Sequence, residues 1–534
     1  MYRSDDLVHW DGRTIVYRSE TERDYWAPSV IWMNGVFHLY YSSISHGQEE
    51  ECLKVATAST PEGPFAFVKQ FFPWFSIDSQ PVLWEGRLYM FYSTNTMTGT
   101  ADDRPGTGII IDLMDSPFSF SGHPRLAVRP TMDEEIFQKN RFGDGRDWHT
   151  IEGASFLSYG KRLVLMYSAN AYVHETYYVG FATGAARHDL RDVVWTKYPD
   201  EHTFHALLQR NQWVEGTGHN CIVKAPNMID DWIVYHGRNR DIPRDPSIEQ
   251  RVMRIDRIFQ DGDIIVCDGP SHMARTVPGQ PDIVQRQNIV ENRKESCIPT
   301  EIATSRIWMR PKPSHMGSVY GLFFCNYYLR CTVGSEYLTL YTIFGGILRK
   351  EQEIQLPPSF DHYQPHAWMV IRCFGWWTIQ LDDTTILHDR LFGEKEGGVF
   401  SRNSILVIDE LRTTRAVTLD GEALCALGSL FSFQGMLEAN DNGVMVNHTI
   451  LIPKLLRYEY DLTLSPTASD GSFQVRGEDG TALINHQSFK RARTFSIKLL
   501  GDVLSVGGEL YHTKGYTLHL NHVVIQRCQC KFLK

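Results

Sequence analysis

Asp78 and Glu152 are the two residues whose type and placement most directly suggest chemistry. Each is the second residue of a recurring unit. One unit runs from Ile77-Asp78-Ser79-Gln80-Pro81 to Tyr92-Ser93, the other from Ile151-Glu152-Gly153-Ala154-Ser155 to Tyr167-Ser168. Two more units share the form: Trp26-Ala27-Pro28-Ser29-Val30 to Tyr41-Ser42, and His219-Asn220-Cys221-Ile222-Val223 to Tyr235-His236. In each, the last residue follows the first by 16 or 17 positions. If the units are equivalent strands, Ala27, Asp78, Glu152 and Asn220 point towards one axis. Two carboxyl groups brought together are a proton-transfer device, because burial and a like charge let one of them keep its proton near neutral pH.

The elements that must position these residues are short runs rich in Val, Ile, Tyr, Phe and Trp, bounded by Gly, Asn and Asp, which read as strands and turns. The units begin 51, 74 and 68 positions apart, which leaves room in each for two more strands and a loop. A motif returning at matched positions, in sheets of four strands, makes a β-propeller whose innermost strands line a central channel. A blade takes about 40–45 residues in familiar propeller repeats, yet only 25 residues precede the first unit. Met1–Trp10 reads as the outer part of a blade whose inner strand is missing. The expected fold is all-β: a five-bladed propeller over residues 1–275, its first blade incomplete, followed by C-terminal β-sandwich material. Residues 276–298, rich in Pro, Gln, Asn and Arg, read as a linker. Alternating strands over 299–417 and 418–534 read as a sandwich followed by a second one, or by the second half of the same module.

Composition narrows the partners. Of 534 residues, 53 are Lys or Arg and 63 Asp or Glu, a net charge of −10 spread along the chain, which argues against nucleic acid or anionic membrane as the main partner. The apolar stretch 369–379 is interrupted by Arg372, and no run reaches the roughly 18 residues of a membrane span. Met1–Asp6 lacks a signal-peptide core, so the chain as given is expected in the cytoplasm, or outside the cell if an N-terminal segment precedes it. Ten scattered cysteines are too few for a disulfide scaffold and read as reduced thiols; Cys528 and Cys530 are a weak metal signal.

Taken in order, Asp6-Leu7-Val8-His9-Trp10, Tyr25-Trp26-Ala27-Pro28, Ser76-Ile77-Asp78, Thr150-Ile151-Glu152-Gly153, Gly216-Thr217-Gly218-His219-Asn220, Tyr235-His236-Gly237-Arg238 and Arg254-Ile255-Asp256 form a set. The first half of the chain thereby resembles glycoside hydrolase family 43, the five-bladed propeller furanosidases and xylosidases. The resemblance implies that Glu152 is a general acid and Asp78 the carboxylate that tunes it. It implies inverting hydrolysis of arabinofuranoside or xyloside linkages in plant-type polysaccharides or oligosaccharides, with no required cofactor. The family's base Asp lies upstream of the Asp6–Trp10 segment, and Asp5, Asp6 and Asp24 sit in the wrong context for it. The alternative expectation is therefore a sugar-binding propeller without turnover. By the same resemblance Trp26 stacks on the sugar, and His219 stands near a bound ion, commonly calcium. Arg238 either donates to substrate hydroxyls or forms a salt bridge. Phe72, Trp74 and Phe75 either rim the cleft or pack internally. Arg244-Asp245-Pro246 reads as a loop, and Asn447-His448-Thr449 as a glycosylation sequon relevant only to a secreted protein.

Overall fold

A computed structural model describes residues 1–98, 104–159, 162–228, 231–245, 247–261, 264–267, 269–272, 277–291, 295–298, 304–324, 326–356, 360–373, 376–382, 384–390, 397–414, 417–419, 431–440, 443–453, 458–500 and 502–532. The first sheet orders β1 (Glu22–Met33), β2 (Val36–Ser45), β3 (Cys52–Ala58) and β4 (Ala66–Gln70). The second is built on β5 (Ile77–Trp84), β6 (Arg87–Thr94) and β7 (Gly106–Ser116), with β8 (Ser119–Phe120) and β9 (Arg125–Val128) both paired to β7. After β10 (Ile136–Gln138), the third orders β11 (Trp148–Tyr159), β12 (Arg162–Ala169), β13 (Tyr178–Ala185) and β14 (Thr196–Lys197). The fourth orders β15 (Val214–Lys224), β16 (Asp231–Asn239), β17 (Val252–Asp261) and β18 (Ile264–Cys267). These are four blades. Residues 1–21 add one isolated bridge, Arg3 to Asp11, in place of further strands. β7 also runs parallel to β11 through His149↔Gly106 and Thr150↔Thr107, so blades two and three form one ten-stranded sheet.

Why the blades stack is legible in the second strand of each. Leu88, Met90 and Tyr92 of β6 pack against Tyr40, Leu53 and Val55 of the first blade. The alternate residues Tyr89 and Phe91 pack against Leu163, Leu165 and Tyr167 of the third. Val164 and Met166 then turn to Ile233, Tyr235 and Ile258 of the fourth. Side chains alternate across a strand, so a strand sandwiched between two blades must be apolar on both faces. Each large side chain buried this way contributes about 1.5–3 kcal/mol.

The first strand of each blade breaks that alternation at one matched place. In β1 the register passes from Trp26↔Ser42 to Ser29↔Tyr40, and in β5 from Ile77↔Ser93 to Gln80↔Phe91. In β11 it passes from Glu152↔Ser168 to Ser155↔Met166, and in β15 from Gly218↔His236 to Cys221↔Val234. Each is a bulge with one extra residue, and the residue after the anchor has positive φ: Ala27 at 42°, Asp78 at 58°, Gly153 at 64° and His219 at 50°. The equivalent residues are therefore Ala27, Asp78, Gly153 and His219, a correction to the expected set. Glu152 lies one place earlier, equivalent to Trp26, Ile77 and Gly218. Asn220 lies one place later and is buried, its Nδ2 3.3 Å from Met166 Sδ rather than on the axis. Sequence similarity missed the offset because the fourth hairpin is two residues longer than the others between anchors, which made a one-residue shift look natural.

Beyond the propeller, the expected linker 276–298 is corrected by two strands, β19 (Ile283–Val290) and β20 (Glu295–Ile298). β19 pairs with Ser404–Thr414 and keeps most of its side chains in solvent, so its polar composition reflects an edge strand rather than a loop. β19 and β20 belong to two six-stranded antiparallel sheets that share one core, including Ile307, Tyr320, Leu340, Trp368 and Leu406. Trp308 of this sandwich meets Trp32 of β1 edge-on at 5.3 Å, and Arg286 reaches Asp5 at 3.4 Å. An eleven-stranded sheet with its own core, including Phe431, Leu451, Tyr460, Phe473 and Leu518, forms the C-terminal part. Among the described residues no helix is long and apolar enough to cross a membrane.

Candidate active site

The bulges open onto one cavity of about 370 Å³. Trp26 and Ala27 from the first blade, Ile77 and Asp78 from the second, Glu152 from the third and His219 from the fourth all line it. A regular strand could send only alternate residues to that side; the extra residue lets neighbouring positions both reach the cavity. Asp78 and Glu152 thus meet although they lie far apart in sequence. Gly153 connects them: its N–H donates to Asp78 Oδ2 at 3.0 Å, and it is the residue after Glu152. Gly153 tolerates its positive φ without a Cβ penalty.

Glu152 Oε1 accepts a hydrogen bond from Tyr177 Oη at 2.9 Å. Tyr177 comes that close because residue 218 is glycine; a Cβ there would lie 2.0 Å from the tyrosine ring. Tyr177 stacks on His236 at 5.7 Å with nearly parallel planes. His219 Nε2 lies 3.9 Å from Asp78 Oδ1, and its backbone N–H donates to Ser168 Oγ.

The electrostatics favour one shared proton. Burial pushes the Glu152 pKa up first, the Asp78 charge pushes it further, and His219, the Tyr177 hydroxyl and Arg251 oppose the rise. Asp78 is also pushed up, mainly by burial and secondarily by the Glu51 charge, while the Gly153 N–H favours its anion. Asp78 therefore ionises first, and its charge then holds the proton on Glu152. Burial lowers the pKa of both imidazoles, that of His236 to about 3, so His236 is neutral at working pH.

The other expected residues divide. Trp26 is half open to the cavity and meets Tyr172 edge-on at 6.3 Å. Phe75 lines the cavity; Trp74 does not, and instead stacks on Phe72 at 5.2 Å, which stacks in turn on Tyr92 and Phe120. Arg238 also stands outside the lining. Its guanidinium donates to the carbonyls of Tyr172, Val173 and His174, so it holds the loop carrying Tyr172 rather than facing the cavity. Arg244 fastens the same loop through Val173 and pairs with Glu215. Asp5 pairs with Arg286, Asp6 caps its own turn through Val8 and His9, and Asp24 pairs with Arg23; none lines the cavity.

Around His219 stand the Asp78 and Glu152 carboxyls and the His236 imidazole. Among the described residues no group of three or more His, Cys, Asp or Glu is placed to hold a metal. These side chains alone do not make up the six to eight oxygens that calcium takes.

Several cavity residues gave no sequence signal. Tyr177 and Arg251 lie just before their strands, and Glu51 on the β2–β3 connection. Arg251 lines the cavity with its guanidinium 4.8 Å from the Tyr172 ring. Residues 1–263 match the family model described as glycosyl hydrolases family 43.

The propeller is a family-43 glycosyl hydrolase domain. The chain is accordingly a glycosidase, and its substrate a carbohydrate. No curated protein matches it. Among solved structures, a thermostable family-43 glycoside hydrolase is 24% identical, over 52% of this chain and 87% of that one, with a TM-score of 0.44. An endo-1,4-beta-xylanase from Bacteroides thetaiotaomicron is 24% identical over 50% and 84%, TM-score 0.40. An alpha-L-arabinofuranosidase from Lactobacillus brevis is 24% identical over 47% and 76%, TM-score 0.39. In this family-43 domain the two acids sit on one hydrogen-bonded sheet, while Trp26 and His219 come from separate sheets on either side.

Proposed function

We propose that the chain hydrolyses an arabinofuranoside or xyloside linkage with inversion, Glu152 serving as general acid and Asp78 holding the proton on it. The observation that carries the reading is the pair itself: the buried Asp78 and half-buried Glu152 carboxyls lining one sugar-sized cavity, with the Gly153 N–H fixing Asp78 beside Glu152. Glu152 gives its proton to the leaving oxygen as the bond to the anomeric carbon breaks. Water adds from the opposite face; inverting enzymes pass its proton to a carboxylate about 6.5–9.5 Å from the acid, and among the described residues Glu51 is the remaining carboxyl lining the cavity that could take it. The choice of pentose rests on the family resemblance, and Trp26 supplies the apolar wall such a ring stacks on. Burial pushes the Glu51 pKa up from the usual carboxylate range.

Release of pentose from arabinofuranosides and xylosides, wild type against Glu152→Gln, tests the reading. Loss of a general acid costs about 10²–10⁴-fold on linkages with poor leaving groups, and the anomer first formed is inverted by NMR. Equal rates would remove Glu152 from the mechanism. Calorimetric binding of oligosaccharides with no product after long incubation would instead support sugar binding without turnover.

A further inference from the structure

We infer that residues 137–148 form a second sugar subsite, which takes the ring on the leaving-group side of the cleaved bond. The assignment of that side rests on Glu152 as the acid; the subsite itself rests on separate geometry. Along β11, Trp148, Thr150 and Glu152 occupy every second position, and all three line the cavity. At roughly 3.3 Å per residue, Trp148 stands about 13 Å from Glu152 along the strand. A general acid protonates the oxygen between two rings. One ring lies in the pocket of Trp26 and Asp78, and the ring beyond the oxygen needs a wall of its own.

The Trp148 end supplies that wall. The Arg141 guanidinium lies 4.8 Å from the Phe137 ring centre and 5.5 Å from those of both Phe142 and Trp148. Phe142 meets Trp148 edge-on at 5.2 Å and is 62% exposed. Arg141 and Phe137 line the cavity with Trp148. The loop is folded from within: Asn140 N–H donates to Asp147 Oδ1, Gly145 N–H to Asn140 Oδ1, and Arg146 pairs with Asp144. Both nearby carboxylates therefore have other partners. Among the described residues Arg141 makes ring contacts and no hydrogen bond. A guanidinium with up to five free N–H donors, held flat among apolar rings, suits a neutral ligand with many hydroxyls and an apolar C–H face. That ligand is the next sugar of an oligosaccharide.

Binding of arabinose, arabinotriose, xylose and xylotriose to the full chain carrying Glu152→Gln, followed by calorimetry, tests this directly. The trisaccharide of the preferred sugar should bind about tenfold or more tighter than its monosaccharide, the worth of one or two hydrogen bonds to a charged donor. Adding Arg141→Ala or Phe142→Ala should collapse that ratio to about twofold or less. Both side chains are exposed, and thermal melting confirms folding. A ratio near one in the parent, or a ratio unchanged by both substitutions, overturns the subsite. Wild-type hydrolysis that proves independent of Glu152, with the ratio intact, would sink the catalytic assignment and leave the second binding site standing.

Discussion

The inner strands of the propeller and the strands of the following sandwich have similar composition and opposite habits. Thr304–Pro313 keeps strict alternation, Ser305, Ile307, Met309 and Pro311 inward and Arg306, Arg310 and Lys312 outward, because the bulge in its ladder lies on the partner strand between Ile408 and Glu410, and its product is a core. β11 has the same length class but interrupts its alternation at Glu152-Gly153, and its product is a cavity. Regular strands build stability; in β1 and β5 the bulge delivers two consecutive side chains to one face, Trp26 with Ala27 and Ile77 with Asp78, where a ligand can meet both. The cost is carried by residues at positive φ, as observed at binding and catalytic sites generally.

Asp78→Asn should produce the largest break in this comparison. It removes the charge that holds the Glu152 proton, so kcat/KM on a poor leaving group falls about 10²-fold or more. The alkaline limb of the pH profile also moves to lower pH, by about one unit, since burial remains to lift Glu152. A limb that stays in place would separate the two carboxyls electrostatically. Next comes Gly153→Ala, which puts a Cβ on a residue at φ 64° and should destabilise the fold by about 1–2 kcal/mol in urea unfolding. Thr332→Ala, on a sandwich strand whose pairings run without a bulge, should change stability by no more than roughly 0.5 kcal/mol; equal effects would deny the bulge its special status.

The Glu152→Gln variant gives a smaller, pH-dependent effect. Burial raises the folded-state pKa of Glu152 above its unfolded value. Below pH 4 both states hold the proton and no penalty arises. Above that, the unfolded state releases it first, so wild type loses stability progressively until the folded-state pKa is passed. The glutamine variant escapes this loss, and its melting temperature should exceed wild type by a margin that widens from pH 4 to pH 9. A constant margin would show that Glu152 titrates normally. Tyr177→Phe should have the smallest effect. The tyrosine hydroxyl favours the Glu152 anion, so its removal should raise the alkaline limb by a few tenths of a unit.

Much of this was legible in the sequence for a physical reason. Strands buried on both faces leave unbroken apolar runs such as Leu88–Tyr92, and a radial repeat returns them at matched spacing. Asp78 and Glu152 stood out because charged residues within such units need a partner or a purpose. The bulge did not stand out, because φ leaves no mark on residue type when Ala, Asp, Gly and His all occupy it. Trp74 misled because an aromatic beside an acid reads equally as a sugar wall or as part of the Phe72 stack. For Arg238 the salt-bridge alternative holds, through Glu215 at 3.7 Å; its further partners, backbone carbonyls, belong to a loop that sequence does not place. β19 escaped because an edge strand facing solvent carries no apolar period.

The parallel pairing of β7 with β11 has a mechanical consequence. It splices two blades into a single stiff plate, and both acids ride on it. Movement at the seams on either side, between that plate and the blades bearing Trp26 and His219, would shift the sugar walls and leave the spacing of the proton pair unchanged, so that admission of substrate and readiness of the acid are set by different parts of the fold.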